Sequence, residues 1–367
     1  MIAEIIIIAV IISATCAIPG VFLILRRMSL ISDAISHSVL FGIVVAFFAV
    51  RSLHSPLLVI GAVATGVITV FLSEMLLKTR LLKEDASIGL VFPALFSMGV
   101  ILISKYAGNI HLDTDAVLMG EIALAPFERF IVGGIDLGPL SAWLMGGIGL
   151  FNLLFVILFY KELKISTFDA GLAAALGFAP ALIHYTLMIM VSITAVGAFD
   201  TVGSILVVAF MIAPGASAYL LTDRLWLMIL LSVLIGMFSA VAGVLIAFAM
   251  DTSIAGTMAS VTGFVFLLTF LFAPQYGIIA KILIRRERKW VFASYMLAVH
   301  LFSHENTELE DEESDIWQLT GHLNWDENYS RRVLATGIRE GVFVRDGSRL
   351  RLTPLGRETA RSLMNQG

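Results

Sequence analysis

Residues 5–25 read IIIIAVIISATCAIPGVFLIL, an unbroken apolar stretch closed by Arg26-Arg27. A hydrocarbon layer about 30 Å thick takes roughly 20 such residues per helix. The stretch has no positive region before it, its first charge is Glu4, and its basic pair comes after it. It therefore reads as a retained membrane span and not as a cleaved leader. Comparable stretches follow at about 35–50, 56–76, 87–104, 141–160, 178–199, 203–222, 225–249 and 255–273. With 59% hydrophobic and 14% charged residues and a mean hydropathy of +0.94, the chain lies outside the range of soluble domains. The expected fold is an all-α polytopic membrane protein of about nine spans with a small soluble α+β domain after it.

Orientation follows from Lys and Arg near the helix ends. Alternate loops carry Arg26, Arg27, Lys78, Arg80, Lys83, Lys161, Lys164, Arg224, Lys281, Arg285, Arg286, Arg288 and Lys289, whereas the opposite set holds only Arg51, Lys105 and Arg129. This bias predicts an outside N-terminus and a cytoplasmic C-terminus. Gly197, Asp200 and Gly203 interrupt the 178–222 region, and Pro214-Gly215 follow. Broken helices at membrane depth are tolerated where they are buried or line an aqueous cavity, so a pathway-lining element is expected there. Cys16 is the single cysteine, which excludes an intrachain disulfide and any cysteine-based zinc motif.

Beyond the spans the composition changes. Residues 1–289 hold 16 Lys+Arg and 16 Asp+Glu, while 290–367 hold 8 Arg, no Lys and 12 acids, so the net charge of −4 belongs to the tail. The expected division is a membrane domain over 1–280, a helical and acidic linker over 281–315, and a cytoplasmic domain over 316–367. In that last part the order reads as helix, helix, a hairpin turning at Asp346-Gly347, and a final helix, a winged-helix pattern. Arg331, Arg332, Arg339, Arg345, Arg349 and Arg351 cluster there, yet the tail is acidic overall, which disfavours DNA as its partner.

Asp33 and His37 carry the first candidate chemistry. They are four residues apart, so on one helix they share a face, and ionisable groups inside a span commonly mark a pathway. Carboxylate and imidazole together suit a divalent ion such as Mn²⁺, Zn²⁺ or Fe²⁺. A structural ion pair with Arg26 or Arg27 is the competing reading. Asp200, near the external end of its span, is placed to meet an arriving cation, and His184 reads as a hydrogen-bonded packing residue. Met98, Met188, Met190 and Met211 read as packing. No GxxxxGK[ST] run occurs in the chain, so it offers no phosphate-cradling loop and is not expected to be an enzyme.

RRMSLISDAISHSV (26–39), KEDASIGLVFPALFSMGV (83–100), KELKISTFDAGLAAALG (161–177) and VGSILVVAFMIAPGASAYLL (202–221) together resemble the permease subunits of bacterial ATP-binding-cassette importers for manganese, zinc and iron. The resemblance spans roughly residues 21–281 and departs at Phe41, where many members have proline. It implies a separate cytoplasmic ATPase, an extracytoplasmic metal-binding protein, a second permease copy or paralogue, and a place in the lipid of the bacterial inner membrane. It implies no permanently bound cofactor, only a transported Mn, Zn or Fe ion. In such importers the loop matching 161–177 forms the coupling helix, which assigns Phe168, Asp169, Ala170 and Gly177 to ATPase contact. HLDTDAVLMGEI (111–122) is similar to an external stretch of some of these permeases and makes His111, Asp113, Asp115 and Glu121 candidates for docking the binding protein. The tail's LRLTPLGRETA resembles the wing and following helix of metal-dependent repressors. Two other readings stay open on the residues alone: a membrane-tethered metal-responsive regulator, and a self-sufficient secondary metal carrier.

Overall fold

The computed structural model describes residues 1–51, 55–106, 122–316, 323 and 325–365. They form two compact units, Met1–Pro274 and Gln275–Gly367. The first unit contains α1 (Ile2–Leu25), α2 (Ser29–Val50), α3 (Pro56–Lys78), α4 (Glu84–Tyr106), a hairpin of β1 (Arg129–Val132) and β2 (Ile135–Pro139), and α5 (Leu140–Leu158). After these come α6 (Tyr160–Phe168), α7 (Ala170–Ala175), α8 (Pro180–Leu221), α9 (Leu225–Met250) and α10 (Ile254–Phe272).

Local chemistry sets several of these ends. Ser55 accepts from the Leu57 amide at 3.3 Å with Pro56 at the first helical position of α3, and Ser253 caps α10 through the Gly256 amide at 3.3 Å. Both arrangements satisfy amides that a helix start leaves orphaned. Phe41 is accommodated without interruption, since α2 runs through it as regular helix.

Among the described residues eight helices are long and apolar enough to cross a membrane, one of them taking in two of the nine expected spans. The difference lies in α8. Its 42 residues merge the stretches expected as separate spans at 178–199 and 203–222, with Gly203 at φ 77° and ψ 166° as the one non-helical residue between them. A backbone at that φ is open to glycine and strained for other residues. Straight, α8 would hold His184 and Met211 about 40 Å apart. Instead His184 bonds to Arg26, while a β-carbon on Gly20 would run into the Met211 carbonyl. Gly20 and Arg26 are separated by only about 9 Å of helix rise. The segment therefore folds back at Gly203, and both arms lie along α1.

α1 is consequently the axis of this unit. Ile5, Ile8, Ile12, Val21 and Phe22 are enclosed by protein. Polar side chains join its neighbours to it: Asn152 of α5 donates to Thr194 Oγ1 of α8 at 2.8 Å and to the Thr15 carbonyl at 3.3 Å, and Thr15 Oγ1 donates to the Met145 carbonyl at 3.1 Å. Such bonds hold helices together where lipid supplies no hydrophobic drive. Met188, Met190 and Met211 are fully buried.

The second unit holds α11 (Ile278–His304), α12 (Glu310–Glu313), α13 (Glu327–Arg339), the antiparallel pair β3 (Phe343–Asp346) and β4 (Arg349–Leu352), and α14 (Pro354–Met364). Leu297, Leu301, Val333, Phe343, Leu350 and Leu352 form its own core. The hairpin turns through Gly347 at φ 67°. Thr353 caps α14 through the Gly356 amide at 3.0 Å.

Candidate functional site

Asp33 and His37 stand one turn apart on α2, with Oδ1 and Nε2 3.4 Å from each other. The imidazole lies against Phe92 of α4, ring centroids 5.9 Å apart and nearly parallel, and meets Phe96 edge-on at 6.3 Å. Two aromatic rings thus orient it while both polar groups keep partial access to the outside, at 39% and 28% exposure. Among the described residues the two are each other's only polar partners. Donor atoms bound to one tetrahedral ion at 2.0–2.1 Å stand about 3.3 Å apart, so the observed spacing is that of two neighbouring ligands. Further ligands must come from elsewhere.

Asp200 is exposed near the end of the first arm of α8, three residues before Gly203. Among the described residues no hydrogen bond, ion pair or ring contact joins it to Asp33 or His37. The expected three-residue set is therefore a pair plus one separate carboxylate.

Arg26, the alternative partner for Asp33, is engaged elsewhere. Its guanidinium donates to Ser166 Oγ and Thr167 Oγ1 of α6, both at 3.2 Å, and meets His184 Nδ1 of α8 at 3.0 Å. Arginine has no acceptor, so Nδ1 carries no proton and the ring proton sits on Nε2. That nitrogen lies 2.5 Å from Glu74 Oε1 of α3, a close approach without the alignment of a full hydrogen bond. Tyr185 donates to the other Glu74 oxygen at 2.8 Å. Burial holds the Arg26 guanidinium below the usual arginine range, so its remaining bonds matter more than those of a hydrated surface cation. The sequence reading saw His184 as a hydrogen-bonded residue but missed Arg26, Glu74 and Tyr185 as its partners. The available signal was depth: loop alternation already put Arg26, Glu74 and His184 at the same end of their helices.

The same guanidinium anchors the segment containing Phe168, Asp169, Ala170 and Gly177. Asp169 Oδ1 accepts from the Leu172 amide at 2.9 Å and so starts α7 at Ala170. Gly177, at φ 85°, ends it: the Phe178 amide donates to the Ala173 carbonyl and the Gly177 amide to the Ala174 carbonyl, both at 3.0 Å. Ala173 faces inward. Phe168, Leu172 and Leu176 are 63%, 51% and 57% exposed. The result is an apolar ridge that runs from the end of α6 across the short, capped α7 to its C-cap.

His111, Asp113, Asp115 and Glu121 lie outside the described residues. On the described hairpin, Arg129 of β1 joins Glu4 at 2.6 Å and Asp136 at 2.7 Å, fastening the hairpin to the start of α1. These bonds, Asp136 first, hold the Arg129 guanidinium above its ordinary value, and Arg129 then the Gly138 amide hold the Asp136 carboxyl below its own. In the second unit Arg331 pairs with Glu327, Arg339 with Glu287, Arg349 with Asp311 and Arg351 with Asp346. Arg345 bonds to the Gly347 carbonyl, and Arg332 lies over the Trp290 ring. The arginine cluster is therefore largely neutralised from within.

A profile of the ABC 3 transport family matches residues 1–273, ending one residue short of the boundary of the first unit. The zinc transport system membrane protein TroD of Treponema pallidum is 48% identical over 366 residues, covering 100% of this chain and 99% of that protein. The manganese transport system membrane protein MntD of Bacillus subtilis is 47% identical over 272 residues, 74% of this chain and 92% of the relative. Among solved structures, a chain of PsaBC from Streptococcus pneumoniae, determined in complex with Fab, superposes with a TM-score of 0.61 at 29% identity over 75% of this chain and 92% of that one. A match across the whole membrane unit and full-length identity near one half establish that the chain belongs to the ABC 3 transport family.

Proposed function

We propose that this chain is the transmembrane permease subunit of an ATP-driven importer for a divalent transition metal such as zinc or manganese. The observation that carries the reading is the Asp33–His37 pair, spaced as two ligands of one ion at 3.4 Å and committed to no other polar group among the described residues. The names of TroD and MntD, which specify zinc and manganese transport, support it.

In this mechanism an external binding protein delivers the ion to a surface that includes His111, Asp113, Asp115 and Glu121. Asp200 meets the ion on the outer part of its route. Asp33 and His37 then hold it with ligands from water or from a second permease across the pathway. The chain has no phosphate loop, so ATP is hydrolysed by a partner whose surface receives the Phe168, Leu172 and Leu176 ridge. Movement of α7 passes through α6 to Arg26, and from Arg26 to His184 of α8 and Glu74 of α3. Force applied at the ATPase is thereby delivered to helices of the pathway. The orientation implied by the basic loops puts α7 and the C-terminus in the cytoplasm. The tail, over 316–367, acts as a winged-helix-like docking or regulatory module, a reading favoured over DNA contact by its internally paired arginines.

The test is ATP-dependent uptake of Zn²⁺ and Mn²⁺ by proteoliposomes containing the chain, its ATPase and the binding protein, with Asp33→Asn and His37→Ala variants. Uptake that needs ATP and collapses in both variants is expected. Uptake by the chain alone on a proton gradient, or full uptake by both variants, overturns the reading.

A further inference from the structure

In the second unit α11 ends with two histidines on one face. His300 and His304 are one turn apart, and their ring centroids lie 4.9 Å from each other. α12 brings Glu313 across that face, with Oε2 2.9 Å from His300 Nε2. One donor atom from each of the three lies within 4.8 Å of the other two. All three side chains are half-buried, and His304 and Glu313 border a cavity of about 350 Å³.

The acids around them are engaged in other bonds. Glu305 pairs with Arg357 at 2.7 Å and Asp311 with Arg349 at 2.5 Å, while Glu310 accepts the Asn306 amide at 2.7 Å. The donor atoms that converge here belong to two imidazoles and one carboxylate.

We propose that His300, His304 and Glu313 form a binding site for a divalent transition metal, separate from the transport pathway and independent of the permease reading. Two neutral imidazoles and a carboxylate are the borderline donor set that Zn²⁺ accepts with three protein ligands and one open position. Ligand bonds of 2.0–2.1 Å require donors about 3.3 Å apart. The widest present spacing must therefore close by roughly 1.5 Å, a distance covered by side-chain rotation, and the cavity leaves room for a water as fourth ligand. The ring nitrogen that binds the ion gives up its hydrogen bond to Glu313 and the other ring nitrogen carries the proton, so each imidazole binds as a neutral ligand.

Binding has a mechanical consequence inside this unit. Directly after Glu313, the Leu350 amide donates to the Ser314 carbonyl and the Ile316 amide to the Ser348 carbonyl, both at 2.9 Å. An ion that clamps Glu313 to α11 also pins this strip against the β3–β4 hairpin. The metal level is thereby read out as order in the hairpin edge.

The experiment titrates Zn²⁺ into the metal-stripped full-length chain in detergent micelles, using an Asp33→Asn/His37→Ala background to remove the membrane pair. One tight equivalent is expected in that background, weakened at least tenfold by His304→Ala and separately by Glu313→Gln. X-ray absorption of the zinc-loaded background should show two imidazole scatterers, a signature that does not depend on how well either variant folds. Absence of the tight equivalent, unchanged affinity in both variants, or a zinc spectrum without imidazole overturns the proposal. Transport plays no part in this readout, so a failure here leaves the permease reading standing, and the reverse.

Discussion

Two sets of ionisable side chains lie close to the turn between α1 and α2, and they are bonded in opposite ways. Arg26, Glu74, His184 and Tyr185 are locked into a network with Ser166 and Thr167 that ties four helices together. Asp33 and His37 have only each other, at the looser distance of 3.4 Å. A buried polar group is costly unless paired, and the first set meets that requirement internally, with the His184 Nε2–Glu74 approach an ion contact and not an aligned hydrogen bond. The second set leaves lone pairs uncommitted, which is the condition for binding something that comes and goes. Closed networks hold a fold, and open pairs await a ligand.

The largest effect expected from this contrast is on transport. Asp33→Asn and His37→Ala should each lower metal uptake by about 100-fold, since loss of even an outer-shell partner of a metal costs 10–100-fold. Thermal unfolding in micelles should shift little, because the pair is partly exposed and touches another helix only where the imidazole meets Phe92 and Phe96 of α4. A variant that transports normally, or one that fails to fold, would show that the pair belongs with the structural set.

Arg26→Ala is the converse test. It removes three bonds at once and leaves His184 and the α6 hydroxyls without their donor, at a cost of about 1–3 kcal/mol for each buried group left unsatisfied. A clear drop in the unfolding midpoint is expected, together with ATP hydrolysis that no longer drives uptake in proportion. Arg26→Lys should recover little, because an ammonium cannot reproduce the fork that reaches α6 and α8 together. Full recovery by lysine would mean that charge, not geometry, joins these helices.

Phe168→Ala acts at the next step outward. An exposed aromatic that anchors an interface contributes about 2 kcal/mol when truncated, so affinity for the ATPase should fall roughly 30-fold while the isolated chain keeps its stability. Retained affinity in a pull-down titration would remove the ridge from the coupling surface.

Much of this was legible from residue order, and the parts that were not share a cause. Spans show up as composition, the α7 start and stop as Asp169 and Gly177, and the Asp33–His37 pair as an interval of four, all of them local signals. The partner of Arg26 was not local: Asp33 is seven residues away in sequence, His184 is in another helix, and only packing chooses between them. The bend within α8 was hidden for a related reason. Both arms of α8 carry the apolar residues of ordinary spans, and nothing in Gly203 as a letter says whether the chain stops there or turns within one continuous helical element. Apolar composition also cannot separate α1, 72% enclosed by the protein over its most apolar window, from α10, 17% enclosed. In lipid both surfaces call for the same side chains.

The smallest effect expected belongs to a third kind of pair, exposed and closed, on the β1–β2 hairpin. Arg129 and then the Gly138 amide hold the Asp136 carboxyl below its ordinary value. A carboxylate whose pKa is depressed by folding adds stability that is complete above its unfolded pKa of about 3.9, and that is lost as pH falls through the lower folded value. The hairpin amides should therefore exchange with solvent at their intrinsic pH dependence from pH 7 to 5, and open further only below about pH 4. Salt should weaken the pair at neutral pH, because both partners face water. Asp136→Asn should remove the acid step while the Arg129–Glu4 bond keeps the hairpin attached to α1. If the step survives in Asp136→Asn, Glu4 is the group that titrates, and the fastening of the hairpin resides in α1 instead of β2.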